Sequence, residues 1–567
     1  MNKQEKLKKI AIGVEDFKEI IDKDGYFVDK TLMIKKLIES RAKVTLFTRP
    51  RRFGKTLNQF MIRRFFEDEI TEEGEEVDNG YLFDGLAITE CGEEILSHQQ
   101  QYPVIFLTLK SAKQPTYEMA YACLVDEICK EFERHSYVLQ GEMSQRNREI
   151  FERISLGKGS DDEYATAFAF LSECLFKYHK KKAIILIDEY DVPLENAYFR
   201  GFYDEMIDFI RSLFESALKT NPYLEKSVIT GCLRISKESI FTGLNNLETD
   251  SVLHTRFGDS FGFTQEEVEG LLAYYDLSEQ LEEVKKWYDG YLFNDFEIYN
   301  PWSILKYVND RKDHVTEFAL PYWSNTSSNS IVREMVGEAD EMAKADLETL
   351  MAGGTIEKQV HEDITYGDIH QTQDNLWNFL FFTGYLKKVG ERTVGNNLWL
   401  EMKIPNIEVA TIYENSISYW FEQRMKETDR SPLVRALETG DCEAAEDFIN
   451  RQLADTISYY DYAETFYHGF MAGLLVNIGG YRVKSNRESG NGRPDIVMTE
   501  SKFRGRAMIL ELKISDTIQG MEKKCEEALT QMKEQKYESS LEDDGYQPIL
   551  KYAICFFKKG CMVKKAE

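Results

Sequence analysis

The stretch 44–65 constrains the fold of this chain more than any other. Its first five residues favour a β-strand, a basic turn follows, and apolar residues then recur at helical spacing. The turn ends in Gly54, Lys55 and Thr56. Strand, loop and helix in this order are the setting that a phosphate-binding loop requires. We therefore predict an α/β fold in which this strand belongs to a parallel sheet.

The residue types at the end of the turn each suit a nucleotide. Gly54 lets the backbone approach phosphate oxygens, and the N–H groups at the start of the helix favour an anion. Lys55 can reach the terminal phosphates of ATP, and the hydroxyl of Thr56 is a ligand for Mg²⁺. Arg52 and Phe53 lie inside the loop and are further candidate contacts of the nucleotide.

One position departs from the full motif, because Arg49 stands where the first glycine is expected. The loop must therefore curl differently from that of the full motif. A basic turn in front of an ordinary helix is the alternative explanation for the whole stretch.

A second motif follows about 130 residues later, where the apolar run 183–187 ends in Asp188 and Glu189. A buried strand with acids at its end is typical of a central parallel strand that stops at an active-site edge. Asp188 would hold Mg²⁺, directly or through water, and Glu189 would polarise the attacking water. A strand at 104–109 lies between the two motifs, which matches the class of ATPases that uses an extra strand and a catalytic glutamate. A buried strand followed by an acidic turn is the alternative.

Further elements of this region are less specific. A predicted strand at 227–231 precedes Arg234, which is a candidate sensor of the terminal phosphate or, equally, a member of a structural salt bridge. Thr264 and Glu267 form a capping-box pattern at the start of a helical region. Aromatic turns within 288–303 suggest a lid beside the nucleotide, and an ordinary aromatic core is the alternative.

The C-terminal part of the chain holds a second constellation of charged residues. Asp495 opens one predicted strand, and Glu511 and Lys513 lie in the next one, on the same face because strand residues i and i+2 point the same way. A hairpin would bring Asp495 beside Glu511, giving a site for Mg²⁺ or Mn²⁺. Lys513 would orient a water or offset charge on a phosphodiester. A solvated hairpin with a Glu–Lys pair is the alternative.

Two predicted helices flank this hairpin. Glu464 in the first helix would point a third carboxylate at the same metal, and His468 lies one turn on. Gln531 and Tyr537 in the second would face the metal or a nucleic-acid backbone. A Glu464–His468 pair on the helix surface is an equally good explanation for the first two side chains. A solvated helix face is the preferred explanation for Gln531 and Tyr537.

Length and composition bound the architecture. A chain of 567 residues is too long for one core. We predict a nucleotide-binding domain at 8–262, a helical lid and connector at 263–440, and a third domain at 441–567. The nine cysteines contain no Cys-x-x-Cys pair, which argues for reduced thiols and against a zinc site. Long apolar runs and an apolar signal core are absent from the sequence, so we expect a cytoplasmic protein without membrane association.

The charge of the chain is unevenly distributed. A net charge of −28 argues against coating of nucleic acid by the whole surface. Residues 41–64 nevertheless carry eight basic and no acidic side chains, and residues 481–513 carry eight basic and four acidic ones. These two basic islands indicate two sites that handle anions. Chance clustering on solvated faces is the alternative.

Taken in order, these motifs resemble the bacterial AAA-ATPase-like proteins that are fused to a C-terminal PD-(D/E)XK nuclease-superfamily domain. The resemblance rests on the stretches 48–56, 187–191, 299–301, 493–495 and 511–513. It covers most of the chain and is strongest over about 10–330 and 455–560. An arginine-rich loop with one glycine is typical of that family. The resemblance implies a restriction-endonuclease-like α/β fold for the C-terminal domain.

The same resemblance assigns roles to residues. It implies Asp495, Glu511 and Lys513 as the catalytic set of the nuclease, with Glu464 and Gln531 as accessories. We accordingly predict an ATPase joined to a magnesium-dependent nuclease, in which the nucleotide state gates cleavage of DNA or RNA. One alternative is a nucleotide switch whose C-terminal domain binds nucleic acid or a partner without cleaving. Another is a nuclease that ignores the nucleotide. The sequence does not indicate an oligomeric state.

Overall fold

The computed structural model describes most of the chain and divides it into two compact units. The described residues are 7–234, 240–241, 246–323, 330–362, 373–454, 464–475, 478–485, 494–502 and 504–566. The N-terminal unit comprises 1–327 and 357–411, and the C-terminal unit comprises 328–356 and 412–567. The division into three domains that we drew from the sequence stays a prediction.

Helices occur in both units. Over the described residues they are α1 (Phe17–Asp22), α2 (Leu32–Glu39), α3 (Lys55–Phe66), α4 (Glu93–Leu96), α5 (Tyr117–Arg134), α6 (Gln145–Ser155), α7 (Asp161–Ala165), α8 (Ala167–His179), α9 (Val192–Arg200), α10 (Tyr203–Phe214), α11 (Gln265–Tyr274), α12 (Leu281–Tyr288), α13 (Pro301–Lys312), α14 (Ser330–Glu338), α15 (Glu341–Met351), α16 (Gln373–Phe382), α17 (Ile407–Glu427), α18 (Ser431–Thr439), α19 (Cys442–Ala454), α20 (Glu464–Leu475), α21 (Met521–Gln535) and α22 (Ser539–Asp543).

The strands are shorter and fall into separate sheets. In the same described ranges they are β1 (Val44–Thr48), β2 (Glu69–Ile70), β3 (Glu76–Val77), β4 (Val104–Thr108), β5 (Ala183–Asp188), β6 (Leu224–Gly231), β7 (Leu247–Asp250), β8 (Phe263–Thr264), β9 (Tyr291–Phe293), β10 (Phe296–Tyr299), β11 (Ile356–Val360), β12 (Lys387–Val394), β13 (Asn397–Lys403), β14 (Tyr481–Ser485), β15 (Ile496–Glu500), β16 (Ala507–Ile514), β17 (Ile549–Phe557) and β18 (Gly560–Lys565).

The main sheet of the N-terminal unit is parallel. Among the described residues five strands form it in the order β4-β5-β6-β1-β7, and every neighbouring pair runs in the same direction. β1 and β5 are buried along their whole length, as their apolar sequences require of strands covered on both faces. The buried amide of Gln59 ties α3 to this sheet, since its Nε2 lies 3.2 Å from the carbonyl oxygens of both Ile187 and Val228.

The strand order determines which loops meet at the carboxyl edge of the sheet. β6 lies between β1 and β5, whereas β4, which lies between the two motifs along the chain, is at the edge of the sheet. The residues that follow β1, β5 and β6 therefore converge, because carboxyl ends of parallel strands share one edge. Open α/β sheets bind their ligands at this edge.

The region after this sheet combines helices with small sheets. One sheet has the order β8-β10-β9 and another the order β11-β13-β12. A capping box formed by Thr264 and Glu267 begins α11, which confirms the sequence pattern at that position. Aromatic residues of α12, β10 and α13, including Tyr288, Tyr299 and Tyr307, form a buried core with α11.

A second large sheet forms the centre of the C-terminal unit. Its order in the described residues is β14-β15-β16-β17-β18, with β16 and β17 parallel and the other neighbours antiparallel. α18, α19 and α20 cover one face, where Leu510 and Leu512 are buried. α21 connects β16 to β17 and covers the other face, where Ile509 is buried.

The predicted fold class is therefore confirmed: an α/β protein with a parallel-sheet domain, helical connecting elements and a C-terminal α/β domain. Across the described ranges, none of the helices is both long enough and apolar enough to cross a membrane.

Candidate nucleotide and metal sites

The loop after β1 ends at a glycine with an unusual backbone. Gly54 has φ +80° and ψ +16°, a left-handed conformation that glycine adopts without penalty, and it caps the N-terminus of α3. The first bond of the helix runs from the N–H of Asn58 to the carbonyl of Gly54, at 3.0 Å. The N–H groups before Asn58 have no acceptor within the helix, so they are available to an anion.

Lys55 is buried beneath this loop. Its ammonium nitrogen, Nζ, lies 3.1 Å from the carbonyl oxygen of Arg49, 3.2 Å from that of Pro50 and 3.6 Å from a carboxylate oxygen of Glu189. Burial works to lower the pKa of Lys55, but Cys232 and the acids around it outweigh burial and raise the pKa above its usual value. The lysine is therefore charged and neutralises the acidic end of β5.

Asp188 is held in place by two hydroxyl groups. Thr56 donates to its Oδ2 at 2.8 Å, and Thr230, near the end of β6, donates to its Oδ1 at 2.7 Å. The aspartate is fully buried, and burial followed by the charge of Glu189 raises its pKa. Sequence reasoning missed Thr230 as a functional candidate, although its place at a strand end is the kind of signal that would have identified it.

A cation already lies against this pair. Lys110, just beyond β4, donates from Nζ to Thr56 Oγ1 at 2.9 Å, and the same nitrogen lies 3.8 Å from Asp188 Oδ2. A hydroxyl and a carboxylate are ligands that Mg²⁺ accepts, and the ammonium shows that a positive charge fits here. Sequence reasoning also missed Lys110, because an isolated lysine after an edge strand carries no motif.

Glu189 adopts a strained backbone. Its φ of +55° is left-handed, a region that costs a residue with a side chain about 1–2 kcal/mol. Burial by itself raises the pKa of Glu189, but Lys55, Lys110 and Arg51 outweigh burial and lower it. The carboxylate is therefore ionised, as an acceptor for a water proton must be.

Three possible metal ligands come together beside Lys55. In the described part of the chain, Glu189, Asp191 and Cys232 are the cluster whose ligand atoms lie within 4.8 Å of one another. Lys55 Nζ, 3.5 Å from the sulfur of Cys232, supplies the positive charge at this cluster. Asp191 Oδ2 accepts the N–H groups of Cys232, at 2.7 Å, and of Leu233, at 3.1 Å. The cluster thus joins the end of β5 to the end of β6.

Arg49, which replaces the first glycine of the motif, points away from the loop into the protein. It is completely buried, and its Nη2 lies 2.5 Å from Asp250 Oδ1 at the end of β7. Its Nη1 donates to the carbonyl oxygens of Asp250, at 2.8 Å, and Thr48, at 3.0 Å. The guanidinium also lies over the ring of Phe261, 5.0 Å from its centroid. Arg49 therefore fastens β1 to β7.

Arg52 and Phe53 contact the aromatic segment that we predicted as a lid. Arg52, with φ +72°, lies over the indole of Trp302 at 4.5 Å from the ring centroid. Phe53 is buried, and its ring lies 4.9 Å from that of Tyr291 and 5.2 Å from that of Phe293. Since the side chain of Phe53 is packed in the protein, its main chain is what a nucleotide can reach.

The basic island 41–64 is largely neutralised by acids of the same unit. The ion pairs are Arg49 with Asp250, Arg51 with Glu195, Lys55 with Glu189, Arg63 with Glu67, and Arg64 with Asp16 and Glu69. Most of the positive charge of the island is therefore paired, while Arg41 and Lys43 are exposed. Arg234 is half-buried beyond the end of β6, and its role as a sensor stays a prediction.

A separate cluster of charges lies in the C-terminal sheet. β15 and β16 are antiparallel with Ile496 opposite Leu510, and continuing this register sets Asp495 opposite Glu511. Both carboxylates are buried, with 3% and 2% of their surface exposed. Asp495 Oδ2 accepts the N–H of Leu512 at 2.7 Å, and Lys513 Nζ lies 3.2 Å from Glu511 Oε1.

The environment of Glu511 suits a divalent cation. Within the described residues its second oxygen, Oε2, is buried and has no hydrogen-bond partner. Burial first, and then the charge of Asp495, raises the pKa of Glu511 to about 7, although Lys513 works against both. The buried Oε2 of Glu511 lacks a hydrogen-bond partner among the described residues and lies in a site with a second acid, Asp495. An Mg²⁺ or Mn²⁺ ion would bind such an oxygen.

The flanking helices contribute in different ways. His468 on α20 approaches Asp495, with Nε2 3.4 Å from its carbonyl oxygen and 3.3 Å from the hydroxyl of Ser485. Beyond α21, Tyr537 accepts a hydrogen bond from Gln531 at 3.0 Å. Burial raises the pKa of Tyr537 foremost, and the charge of Glu511 adds to the shift. Glu464 is the first residue of α20, and its side chain lies outside the described part of the structure.

Comparison with known proteins gives a separate match for each end of the chain. Residues 11–241 match the family described as predicted AAA-ATPase, and residues 462–566 match the PD-(D/E)XK nuclease superfamily. A protein of Azotobacter chroococcum mcd 1, described as an uncharacterized protein in the vnfD 5' region, is 24% identical over 554 residues. The similarity covers 94% of this chain and 93% of the relative. Residues 11–241 thus form an AAA-ATPase-like region, and residues 462–566 form a region of the PD-(D/E)XK nuclease superfamily.

Proposed function

We propose that this chain binds and hydrolyses ATP in its N-terminal unit and cleaves DNA or RNA in its C-terminal unit, with the nucleotide state gating cleavage. The observation that carries the proposal is the buried pair Asp495 and Glu511, in which one oxygen has no hydrogen-bond partner among the described residues. Lys513 beside this pair completes the set of charges that phosphodiester hydrolysis requires.

At the nucleotide site, different side chains bind the phosphates, hold the metal and activate the water. Lys55 turns from Glu189 toward the terminal phosphates when ATP is bound. Thr56 and Asp188 hold Mg²⁺, which when bound neutralises charge on the phosphate oxygens. Once Lys55 has left it, Glu189 is free to accept a hydrogen bond from the attacking water. Thr230 keeps the Asp188 carboxylate in its orientation.

At the proposed nuclease site, residues of β16 and the residue before β15 have separate roles. Asp495 and Glu511 hold the divalent cation, which when bound lowers the pKa of a water and stabilises the leaving oxygen. Lys513 orients the attacking water or offsets negative charge on the phosphodiester. The N–H of Leu512 fixes one oxygen of Asp495, so that the carboxylate keeps a single orientation toward the cation. Glu464 is proposed as a further ligand.

The proposal includes a setting for these activities. The chain acts in the cytoplasm, with domains at 8–262, 263–440 and 441–567. Its partners are ATP and a nucleic acid. The basic island 481–513 supplies local positive charge in a chain of net charge −28, and this charge supports binding of a nucleic-acid backbone beside the proposed cation site.

A cleavage assay on the full-length protein tests the proposal. Labelled single-stranded and double-stranded DNA and RNA are incubated with Mg²⁺ and with ATP, ADP or no nucleotide. We expect cleavage that depends on the nucleotide, is abolished by EDTA, and falls at least 100-fold in Glu511→Gln. Glu500→Gln, a matched change on the same hairpin, should leave cleavage unchanged.

Different failures have different meanings. Equal cleavage with ATP, ADP and no nucleotide would refute gating, and an undiminished rate in Lys55→Ala would point to a nuclease that ignores the nucleotide. If the protein binds nucleic acid under the control of ATP but never cleaves it, the switch without nuclease activity is the correct function.

A further inference from the structure

Lys110 occupies a position at the nucleotide site that no motif accounts for. Its Nζ donates to Thr56 Oγ1 at 2.9 Å and to Glu15 Oε1 at 2.8 Å, and it lies 3.8 Å from Asp188 Oδ2. Its side chain is 35% exposed, whereas that of Asp188 is fully buried. Lys110 thus links the buried acid to an exposed one.

This arrangement uses the oxygens that the divalent cation needs. Mg²⁺ binds its ligands at about 2.0–2.1 Å, so an ion on Thr56 and Asp188 would lie within a few ångströms of the Lys110 ammonium. Two positive charges at that separation repel each other, and they compete for the same oxygens, Thr56 Oγ1 and Asp188 Oδ2. Lys110 in its present position and a bound divalent cation are therefore mutually exclusive.

We propose that Lys110 is a counter-cation of Asp188 that competes with Mg²⁺ for Thr56 and Asp188, and that the Lys110–Glu15 pair moves away from Asp188 when the metal enters. The inference rests on the proposed function, because it concerns the metal that accompanies ATP. Its consequence is that the affinity of this site for divalent cations is weakened until the lysine has left.

Glu15 keeps Lys110 paired when the lysine leaves Thr56 and Asp188. The Glu15 side chain is 59% exposed, so the Lys110–Glu15 pair can reach solvent without breaking buried contacts. The charge on Asp188 then passes from one cation to another and is never left unpaired. A buried acid without any cation would be costly, which explains why a lysine beyond the end of β4 reaches this far into the site.

Binding of Mn²⁺ to nucleotide-free protein, followed by the electron paramagnetic resonance signal of the free ion, tests the inference. All variants also carry Asp495→Asn and Glu511→Gln, so that the C-terminal carboxylates do not bind the probe. We expect Lys110→Met to tighten Mn²⁺ binding about tenfold, and Lys110→Arg to remain within about twofold of the parent. Lys113→Met, which removes an exposed lysine three residues away, should change nothing.

A second variant acts in the opposite direction. Glu15→Gln removes the outer partner of Lys110, so the lysine should remain at Thr56 and Mn²⁺ should bind a fewfold more weakly. This variant carries the test if Lys110→Met fails to fold, which a thermal melt would reveal. A purely structural role for Lys110 would not produce shifts of opposite sign in the two variants.

ATP binding by the same proteins, measured by calorimetry with Mg²⁺, separates this inference from the proposed function. If ATP binds but Lys110→Met leaves the Mn²⁺ affinity unchanged, the counter-cation inference is wrong and the proposed function stands. If Mn²⁺ binding tightens but ATP never binds, Lys110 does compete with metal and the proposed ATP site is wrong.

Discussion

Replacing Arg49 by glycine would restore the residue that a full phosphate-binding motif has at this position, and we expect the protein to lose stability. The reason is the direction of the side chain. Arg49 is buried against Asp250, and it also donates to the main-chain carbonyl of Thr48. The change therefore removes an anchor between β1 and β7, while the loop gains a glycine that it does not need for its present shape.

The magnitude follows from what is left behind. Asp250 is 5% exposed, and its pKa is raised by burial, against which Arg49 is the main opposing influence. Removing one member of a buried ion pair costs about 3–5 kcal/mol, because the other charge stays buried without a partner. The lost contact with the ring of Phe261 adds roughly 0.5–1 kcal/mol. With about 2 °C of melting temperature per kcal/mol in a large domain, the expected drop is roughly 7–12 °C.

Thermal unfolding with hydrogen exchange as the local readout is the suitable assay. Amides of β1 and β7 should lose protection in Arg49→Gly, while amides of the C-terminal sheet keep theirs. Arg49→Gly combined with Asp250→Asn should recover about 1–3 kcal/mol relative to the single change, because the second change removes the unpaired charge. Arg49→Lys should fall between the parent and Arg49→Gly, since it keeps the charge but not the two-pronged contact.

Two results would show that this reasoning is mistaken. A melting temperature of Arg49→Gly within about 1 °C of the parent would mean that the buried pair contributes no net stability. Strictly additive effects of the two changes would mean that Arg49 and Asp250 do not act on each other. Tighter ATP binding in Arg49→Gly without a loss of stability would mean instead that Arg49 hinders nucleotide binding.

Three further predictions concern the two sites. Because the pKa of Glu511 is raised to about 7, the affinity of the C-terminal site for a divalent cation should rise with pH up to about 7 and then level off, as calorimetry at pH 5–8 would show. Without metal, the same raised pKa should make the free energy of unfolding fall from about pH 4.5 to about pH 7, as melting at pH 5–8 would show. Thr230→Val should weaken Mg²⁺·ATP binding about tenfold by freeing Asp188, and Ser227→Ala on the same strand should not. Nucleotide binding should change the emission of Trp302, a change that Trp302→Phe removes and that fluorescence titration follows.

The parts of the fold that could be predicted are those with a local sequence pattern in consecutive residues. β1, β5 and β16 are apolar runs, and their burial along the sheet is the direct consequence. β7 was not predicted, because a four-residue segment with polar side chains shows no strand pattern. It becomes a strand by pairing with β1, and its last residue, Asp250, receives Arg49. Such a pairing depends on the whole sheet and has no local signal.

The two candidate sites also differ in how far they could be predicted from local sequence. Asp495, Glu511 and Lys513 belong to adjacent strands of one hairpin, so period-two geometry was enough to predict that they meet. The nucleotide site instead draws on the ends of β1, β4, β5 and β6. Lys110 follows β4 and Thr230 lies in β6, and neither belongs to a recognisable motif. Their roles follow from the strand order, which the sequence pattern alone did not determine.

The left-handed backbone at Glu189 has a consequence for how this protein can change. Glycine would relieve the strain there, but it would also delete the carboxylate that lies 3.6 Å from the buried ammonium of Lys55. Loss of one member of a buried ion pair costs about 3–5 kcal/mol, which is more than the strain of about 1–2 kcal/mol. Residue 189 therefore retains a strained carboxylate for the sake of the fold as well as of the proposed chemistry.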